Sequence, residues 1–293
     1  MKVLVIGGTG MLGHKVVQTL SPRFDVTSTI RGDFATIEHL GIFERDSVIE
    51  NVDVENFATV AAAIESAKPD VVINCVGMIK QLSTSNDVVK TLTINSIFPH
   101  LLSSLAERSG FRLITISTDC VFAGTKGKYT EDDPADALDL YGRSKQLGEV
   151  VNGRSLTLRT SIIGREIGTS HSLIEWFLAQ TDTVKGYVNA IYSGFPTVIL
   201  AELLATVISE HPELRGLYHV SSEPINKFDL LMLVKERLGL EVRIEKFAEF
   251  SIDRSLDSSR FRETTGFAPL PWPEMVDRMF SDPTPYDDWH KRI

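Results

Sequence analysis

Tyr141 and Lys145 stand four residues apart in DLYGRSKQLGE, residues 139–149. On a helix that spacing puts a phenol and an ammonium on one face. A phenol with a reference pKa of about 10 is a poor acid, and a nearby cation favours the phenolate and draws that value toward working pH. Hydride delivery to a carbonyl carbon leaves charge on oxygen, so a reducing site needs such a proton donor and further donors where the charge develops. A surface tyrosine and a solvated lysine show the same spacing. What raises the pair above that reading is STD, residues 117–119, which follows the apolar run RLITI. Ligands of open α/β sheets gather at the carboxyl ends of strands, where Thr118 would stand.

A reducing site also needs a cofactor. KVLVI runs directly into GGTGMLG, giving the spacing Gly7-x-x-Gly10-x-x-Gly13. Glycines permit a tight turn and close approach of a pyrophosphate to backbone amides, and the following helix N-terminus favours its charge. After the second apolar run comes STIRGD, with Arg31 ahead of Asp33. An acidic residue there accepts from the ribose hydroxyls of NAD, whereas an arginine favours the extra phosphate of NADP. The order favours NADPH, with NADH still open. Asp53, in NVDV, fits either adenine binding or capping of the next helix.

The elements that must position these residues are legible as alternating patterns. KVLVI (2–6), FDVTSTI (24–30), SVIENV (47–52), DVVINCV (70–76), RLITIS (112–117) and SLTLRT (155–160) predict strands, mostly apolar throughout as strands covered on both faces are. MLGHKVVQTL, VENFATVAAAIESA, NSIFPHLLSSLAERSG and YGRSKQLGEVVN predict the helices between them. The expected fold is α/β: a doubly wound parallel Rossmann sheet over residues 1–164, binding NADP, and a smaller C-terminal α/β substrate lobe over 165–293. Helices are expected at SLIEWFLAQ (172–180), TVILAELLATVISE (197–210) and KFDLLMLVKERLG (227–239), and short strands at TVKGY, LYHVS and VRIEKF. Elements near 191–212 are expected to pack back on the first domain. The tail carries proline breaks and ends polar.

GGTGMLG, VINCVG at the fourth strand, STDCVFAG at the fifth, YGRSKQLGE on the next helix and LRTSIIG on the sixth strand together resemble the extended short-chain dehydrogenase/reductases. Within them the chain is most similar to the dTDP-4-dehydrorhamnose reductase-like family, over essentially its whole length and most closely over residues 1–165. The resemblance implies that Thr118 polarises the substrate carbonyl, Tyr141 donates the proton, and Lys145 holds the nicotinamide ribose while lowering the tyrosine pKa. It also places Thr9, Met11 and Leu12 of the glycine loop, Cys75, Val76 and Gly77 after the fourth strand, and Asn95 on the cofactor. The activity implied is NADPH-dependent reduction of the 4-keto group of a nucleotide-linked 6-deoxyhexose, for surface polysaccharide.

Related dehydratases carry an Asp-Glu pair directly after the threonine, for elimination of water. Here Asp119 is followed by Cys120, which favours reduction without elimination. Cys120 also replaces the tyrosine common in the rhamnose enzymes, and the family's arginine-proline pair is absent, so the sugar stays open. Two other readings fit the resemblance: an NADP-binding regulatory subunit similar to that of methionine adenosyltransferase, and a sugar-nucleotide epimerase. Candidate contacts to the nucleotide-diphosphate sugar are Met78, Lys80, Arg165, Trp176, Tyr192 and Arg254. Arginines clamp a diphosphate bidentately, and Trp176 suits either stacking on a base or lobe core.

Composition bounds the rest. The chain has 293 residues, 43% hydrophobic and 24% charged, as an ordinary globular protein does. A net charge of −9 argues against a general nucleic-acid surface, although a small anion needs only local donors. The opening apolar run is far short of the roughly 20 residues of a membrane span, so a cytoplasmic protein without membrane contact is expected. The 2 cysteines and 7 histidines show no disulfide framework or metal spacing. A homodimer remains compatible with all of this.

Overall fold

The computed structural model describes residues 1–79 and 87–290. Its strands are β1 (Lys2–Ile6), β2 (Asp25–Thr29), β3 (Val48–Ile49), β4 (Val71–Asn74), β5 (Arg112–Thr118), β6 (Ser155–Thr160), β7 (Ile162–Ile163), β8 (Thr183–Tyr192), β9 (Phe195–Pro196), β10 (Gly216–His219), β11 (Ile225–Asn226) and β12 (Arg243–Asp253). The helices are α1 (Gly13–Leu20), α2 (Phe57–Ala67), α3 (Val88–Leu92), α4 (Phe98–Ser109), α5 (Leu140–Leu147), α6 (Leu173–Leu178), α7 (Thr197–Glu210), α8 (Lys227–Leu238), α9 (Ser259–Thr265), α10 (Trp272–Phe280) and α11 (Tyr286–His290).

Seven strands form one sheet in the order β10-β6-β5-β4-β1-β2-β3, every neighbouring pair parallel. This is the doubly wound arrangement, and its centre explains the unbroken apolar runs. Along β1, Val3 and Val5 pack with Val16 and Leu20 of α1 and with α7 on one face. The alternate residues, Leu4 and Ile6, pack with Val60 and Ile64 of α2 and Phe98 and Leu102 of α4 on the other. The period of two thus survives as a division between two cores rather than as apolar-in, polar-out alternation.

The predicted strand over 47–52 shrinks to Val48–Ile49. Asn51 takes a left-handed φ of +58°, and the Glu50 carboxylate turns aside to accept from the Phe34 amide and, at 2.7 Å, from Arg45. The helix carrying Tyr141 ends at Leu147 rather than running into EVVN. Gly148 lies against the Asn95 backbone, where a Cβ would come within 1.8 Å of the Asn95 carbonyl oxygen. Glu149 then turns inward to Arg159.

In the second half, β8 is the middle strand of a three-stranded sheet, antiparallel to β11 and parallel to β12. α7 packs its apolar side against α1, and β10, the predicted LYHVS strand, completes the edge of the first sheet beside β6. The polar-looking tail folds back as α10 and α11, burying Trp272, Met275, Val276, Tyr286 and Trp289.

Candidate active site

The glycine loop leaves β1 with Gly7 at φ +86°, a conformation open to glycine and costly for other residues. A Cβ on Gly13 would lie 2.0 Å from the Gly7 carbonyl oxygen, so the first turn of α1 closes on the loop only because position 13 is glycine. Beside it opens a cleft of about 540 Å³, lined by Gly7, Thr9, Arg31, Asp53, Val76 and Gly77 among others. A small, glycine-walled floor at a helix start fits the pyrophosphate of a dinucleotide. Arg31 is exposed at the rim and forms no ion pair among the described residues. Asp33 accepts from Asn51 at 3.0 Å. The Asp53 carboxylate accepts from the Glu55 amide at 3.0 Å, so it closes a turn ahead of α2 while lining the cleft. Cys75 packs against the core, and burial pushes its thiol up to about 12.

Asn95 braces the cleft's far wall. It stands in a π-helical turn, Thr93–Ile97, ahead of α4, a distortion found often at functional positions. Its side-chain oxygen accepts from the Met78 amide at 2.8 Å, and its nitrogen donates to Ser144 of α5 at 3.0 Å. The turn thereby ties the chain after β4 to the helix that bears Tyr141 and Lys145.

Thr118 ends β5, and Asp139 caps the start of α5, its carboxylate accepting from the Gly142 amide at 2.8 Å. Gly142 lets the helix descend onto the 119–121 turn, since a Cβ there would be 2.2 Å from the Cys120 carbonyl oxygen. That close approach sets the Tyr141 phenol beside Thr118, whose hydroxyl pulls against the rise in its pKa. Thr118 also donates to Asp119 at 3.1 Å and accepts from the Cys120 amide at 3.1 Å. One turn along α5, the Lys145 ammonium donates to the Ile116 carbonyl at 2.7 Å, and a Cβ on Gly77 would lie 3.8 Å from it. Phenol, hydroxyl and ammonium therefore converge at the end of the cofactor cleft.

Burial dominates the electrostatics. It pushes the Tyr141 phenol above its ordinary value, with Cys120 and Asp119 adding to the rise and the Thr118 hydroxyl only partly offsetting it. Burial also drops Lys145 itself to about 8, against the pull of the Glu149 carboxylate. Glu149 is held by Arg159 through two contacts of 2.7 Å and by Ser117 at 2.6 Å.

The candidate substrate residues separate. Met78 is buried beneath the cleft, and Arg254 reaches the site, donating to the Phe122 carbonyl at 2.8 Å and to the Cys120 sulfur at 3.5 Å. Tyr192 is buried beside Trp272, its hydroxyl without a hydrogen-bond partner among the described residues, and burial followed by the Asp119 carboxylate raises its phenol. Arg165 is engaged elsewhere, with Glu175 at 2.6 Å and Asp287 at 2.7 Å. Trp176 is 39% exposed on α6 rather than in the lobe core. Lys80 lies outside the described residues.

Two further groups take their surroundings from the fold. Asp119 is buried and pushed up by desolvation, against the pull of Arg254 and of hydrogen bonds from Cys120 and Thr118. Lys227, the first residue of α8, is lowered by desolvation but feels the attraction of Cys120 and Asp119. Lys227 went unread in the sequence, as did the approach of Arg254 to Asp119, because in each case the partner lies in the other half of the chain. No group of three or more potential metal ligands occurs among the described residues, and no helix of these residues is long and apolar enough to cross a membrane.

Comparison with known proteins gives the same picture at the level of family. A family model described as the RmlD substrate binding domain matches residues 1–284. A dTDP-4-dehydrorhamnose reductase of Aggregatibacter actinomycetemcomitans is 24% identical over 298 residues, covering 92% of this chain and 95% of that protein. One from Burkholderia thailandensis is 30% identical over 236 residues, covering 76% of this chain and 73% of its own length. The crystal structure of a Bacillus anthracis dTDP-4-dehydrorhamnose reductase in complex with NADP superposes with a TM-score of 0.79 at 20% identity, covering 96% of this chain and 99% of that one. Sharing the extended short-chain dehydrogenase/reductase architecture and matched over nearly its full length, this chain belongs to the RmlD substrate-binding-domain family.

Proposed function

We propose that the protein is an NADPH-dependent reductase of the 4-keto group of a nucleotide-linked 6-deoxyhexose, acting in the cytoplasm to supply a surface polysaccharide. The observation that carries this is the placement of the Tyr141 phenol beside Thr118 at the end of β5, with the Lys145 ammonium one turn along α5 and beside Gly77 of the cleft. Bound in that cleft, NADPH supplies the hydride. Gly7, Gly10 and Gly13, with Thr9, Met11 and Leu12, hold its pyrophosphate, Arg31 its extra phosphate, and Asp53, Cys75, Val76, Gly77 and Asn95 line or brace the remainder. The Lys145 ammonium, fixed by the Ile116 carbonyl, holds the nicotinamide ribose.

Thr118 and Tyr141 offer two hydroxyls to one carbonyl oxygen. As negative charge builds on that oxygen, both donors stabilise it, and Tyr141 passes its proton across. Reduction requires the phenol in its neutral form, which burial maintains. The sugar sits over Asp119 and Cys120, with Met78, Tyr192, Arg254 and Lys227 around it. The Tyr192 hydroxyl has no partner among the described residues, and a buried hydroxyl without a partner gains from a sugar hydroxyl. Arg254 and Lys227 provide positive charge for a diphosphate in a chain that is acidic overall.

The test is NADPH oxidation, followed by nicotinamide absorbance, across dTDP-, UDP- and GDP-linked 4-keto-6-deoxy sugars. Turnover with one or more members is expected. NADPH binding with no turnover across the panel and co-purification of a larger enzyme would favour a regulatory subunit. A tightly retained cofactor with sugar inversion and no net consumption would favour an epimerase.

A further inference from the structure

One buried titratable residue beside the cofactor loop takes no part in the reduction. His14 is 0% exposed. Its Nδ1 bonds the Gly10 carbonyl at 2.8 Å and its Nε2 the Tyr286 hydroxyl at 2.6 Å. A carbonyl only accepts, so Nδ1 carries the proton, Nε2 accepts, and Tyr286 donates. The Gly10 carbonyl also accepts the His14 amide at 3.1 Å, while the Gly10 amide donates to the Gly7 carbonyl at 3.1 Å. Gly10 is thus fixed on both sides. The amides of Met11 and Leu12 donate to no acceptor among the described residues, which leaves them for an anion at the start of α1.

Tyr286 lies 272 residues further along the chain, at the start of α11. The segment leading to it is fastened to α1 a second time, because the Lys15 ammonium bonds Asp282 at 2.8 Å and Thr284 at 2.6 Å. On its far side Asp287 accepts from Arg165 at 2.7 Å, and the Arg165 guanidinium stands 5.0 Å from the Tyr286 ring centre. An apolar residue at position 14 would carry neither of the His14 bonds and would leave the buried Tyr286 hydroxyl unpaired. A histidine there must have both nitrogens paired to offset their desolvation, and one of the two bonds goes to the loop itself.

We propose that His14 and Tyr286 are positioning residues for the cofactor loop: the C-terminal segment, acting through His14, holds the Gly10 carbonyl so that residues 7–13 are preset for a dinucleotide pyrophosphate. The inference rests on the reading of that loop as the NADPH site. Its test needs no sugar and so stands apart from the identity of the substrate. NADPH is titrated by fluorescence into the full-length protein and into Tyr286→Phe, which keeps the ring and removes only the hydroxyl. The expected result is a Kd raised about five- to tenfold, the loss of one buried hydrogen bond. His14→Leu should raise Kd further, His14→Gln less than Leu, and Gln18→Ala, which touches Thr284 but not the loop, not at all. A lower melting temperature with Kd within twofold of the unaltered protein in both Tyr286→Phe and His14→Leu would overturn the proposal by making the contact merely structural. Failure of the unaltered protein to bind NADPH would overturn it together with the cofactor reading, whereas NADPH binding without sugar turnover would count only against the reductase reading.

Discussion

At the scale of single residues, the Tyr141–Lys145 pair was legible from spacing alone, but its electrostatics were not. Sequence proximity suggests a cation lowering a phenol. The folded environment instead raises the phenol by burial and depresses the lysine to about 8. The sign for activity follows. Lys145 is an ammonium below about pH 8 and loses its charge above it, while the phenol stays protonated well beyond that point. We expect kcat/KM to hold steady near neutrality and to fall roughly tenfold per pH unit above the Lys145 value. A pH–rate profile that stays flat two units past it would contradict the assignment. Arg254 and Lys227 illustrate what spacing cannot supply. Both meet Asp119 and Cys120 only after the chain has crossed from the second sheet back to the first, so their approach is a product of tertiary packing.

At the scale of elements, the strand runs of the first half were readable because each lies between two covered faces and is apolar at successive positions. Boundaries failed where side chains were recruited elsewhere, as at Glu50 and Glu149. Glycines mark the closest approaches, and two of them make contrasting predictions. A Cβ at position 13 would sit 2.0 Å from the Gly7 carbonyl oxygen, whereas one at position 10 would meet the same atom at 3.4 Å. Gly13→Ala should therefore lose NADPH binding and about 1–3 kcal/mol of stability by overpacking. Gly10→Ala should stay folded with a milder loss of affinity. Denaturant unfolding with cofactor titration of both variants checks this, and equal behaviour of the two would count against the loop geometry.

At the scale of the whole molecule, the fold joins its ends: α7 and α11 return to α1, α10 packs on α7 and α8, and β10 returns to β6. The return of α10 and α11 was not visible in the polar, proline-broken tail, whose aromatic residues Trp272, Tyr286 and Trp289 find their neighbours only across the fold. The same long-range packing buries His14 and His219 completely, and both are held near pKa 4 against an ordinary 6.5. Desolvation is the main cause for each. The unfolded chain takes up these protons first, so the associated stability is complete above about pH 6.5 and is lost as pH falls toward 4. Each site contributes roughly 3 kcal/mol over that window. Urea midpoints should drop sharply between neutral and mildly acidic buffer. Midpoints unchanged across that range would mean the two histidines are not buried as neutral groups.

The most direct test of the central claim is Tyr141→Phe, which leaves the ring in place and removes the proton. With a turned-over 4-keto sugar nucleotide, the account predicts a loss of about 10²- to 10⁴-fold in kcat with the NADPH Kd essentially unchanged. Turnover within a few-fold of the unaltered protein would contradict Tyr141 as the proton donor.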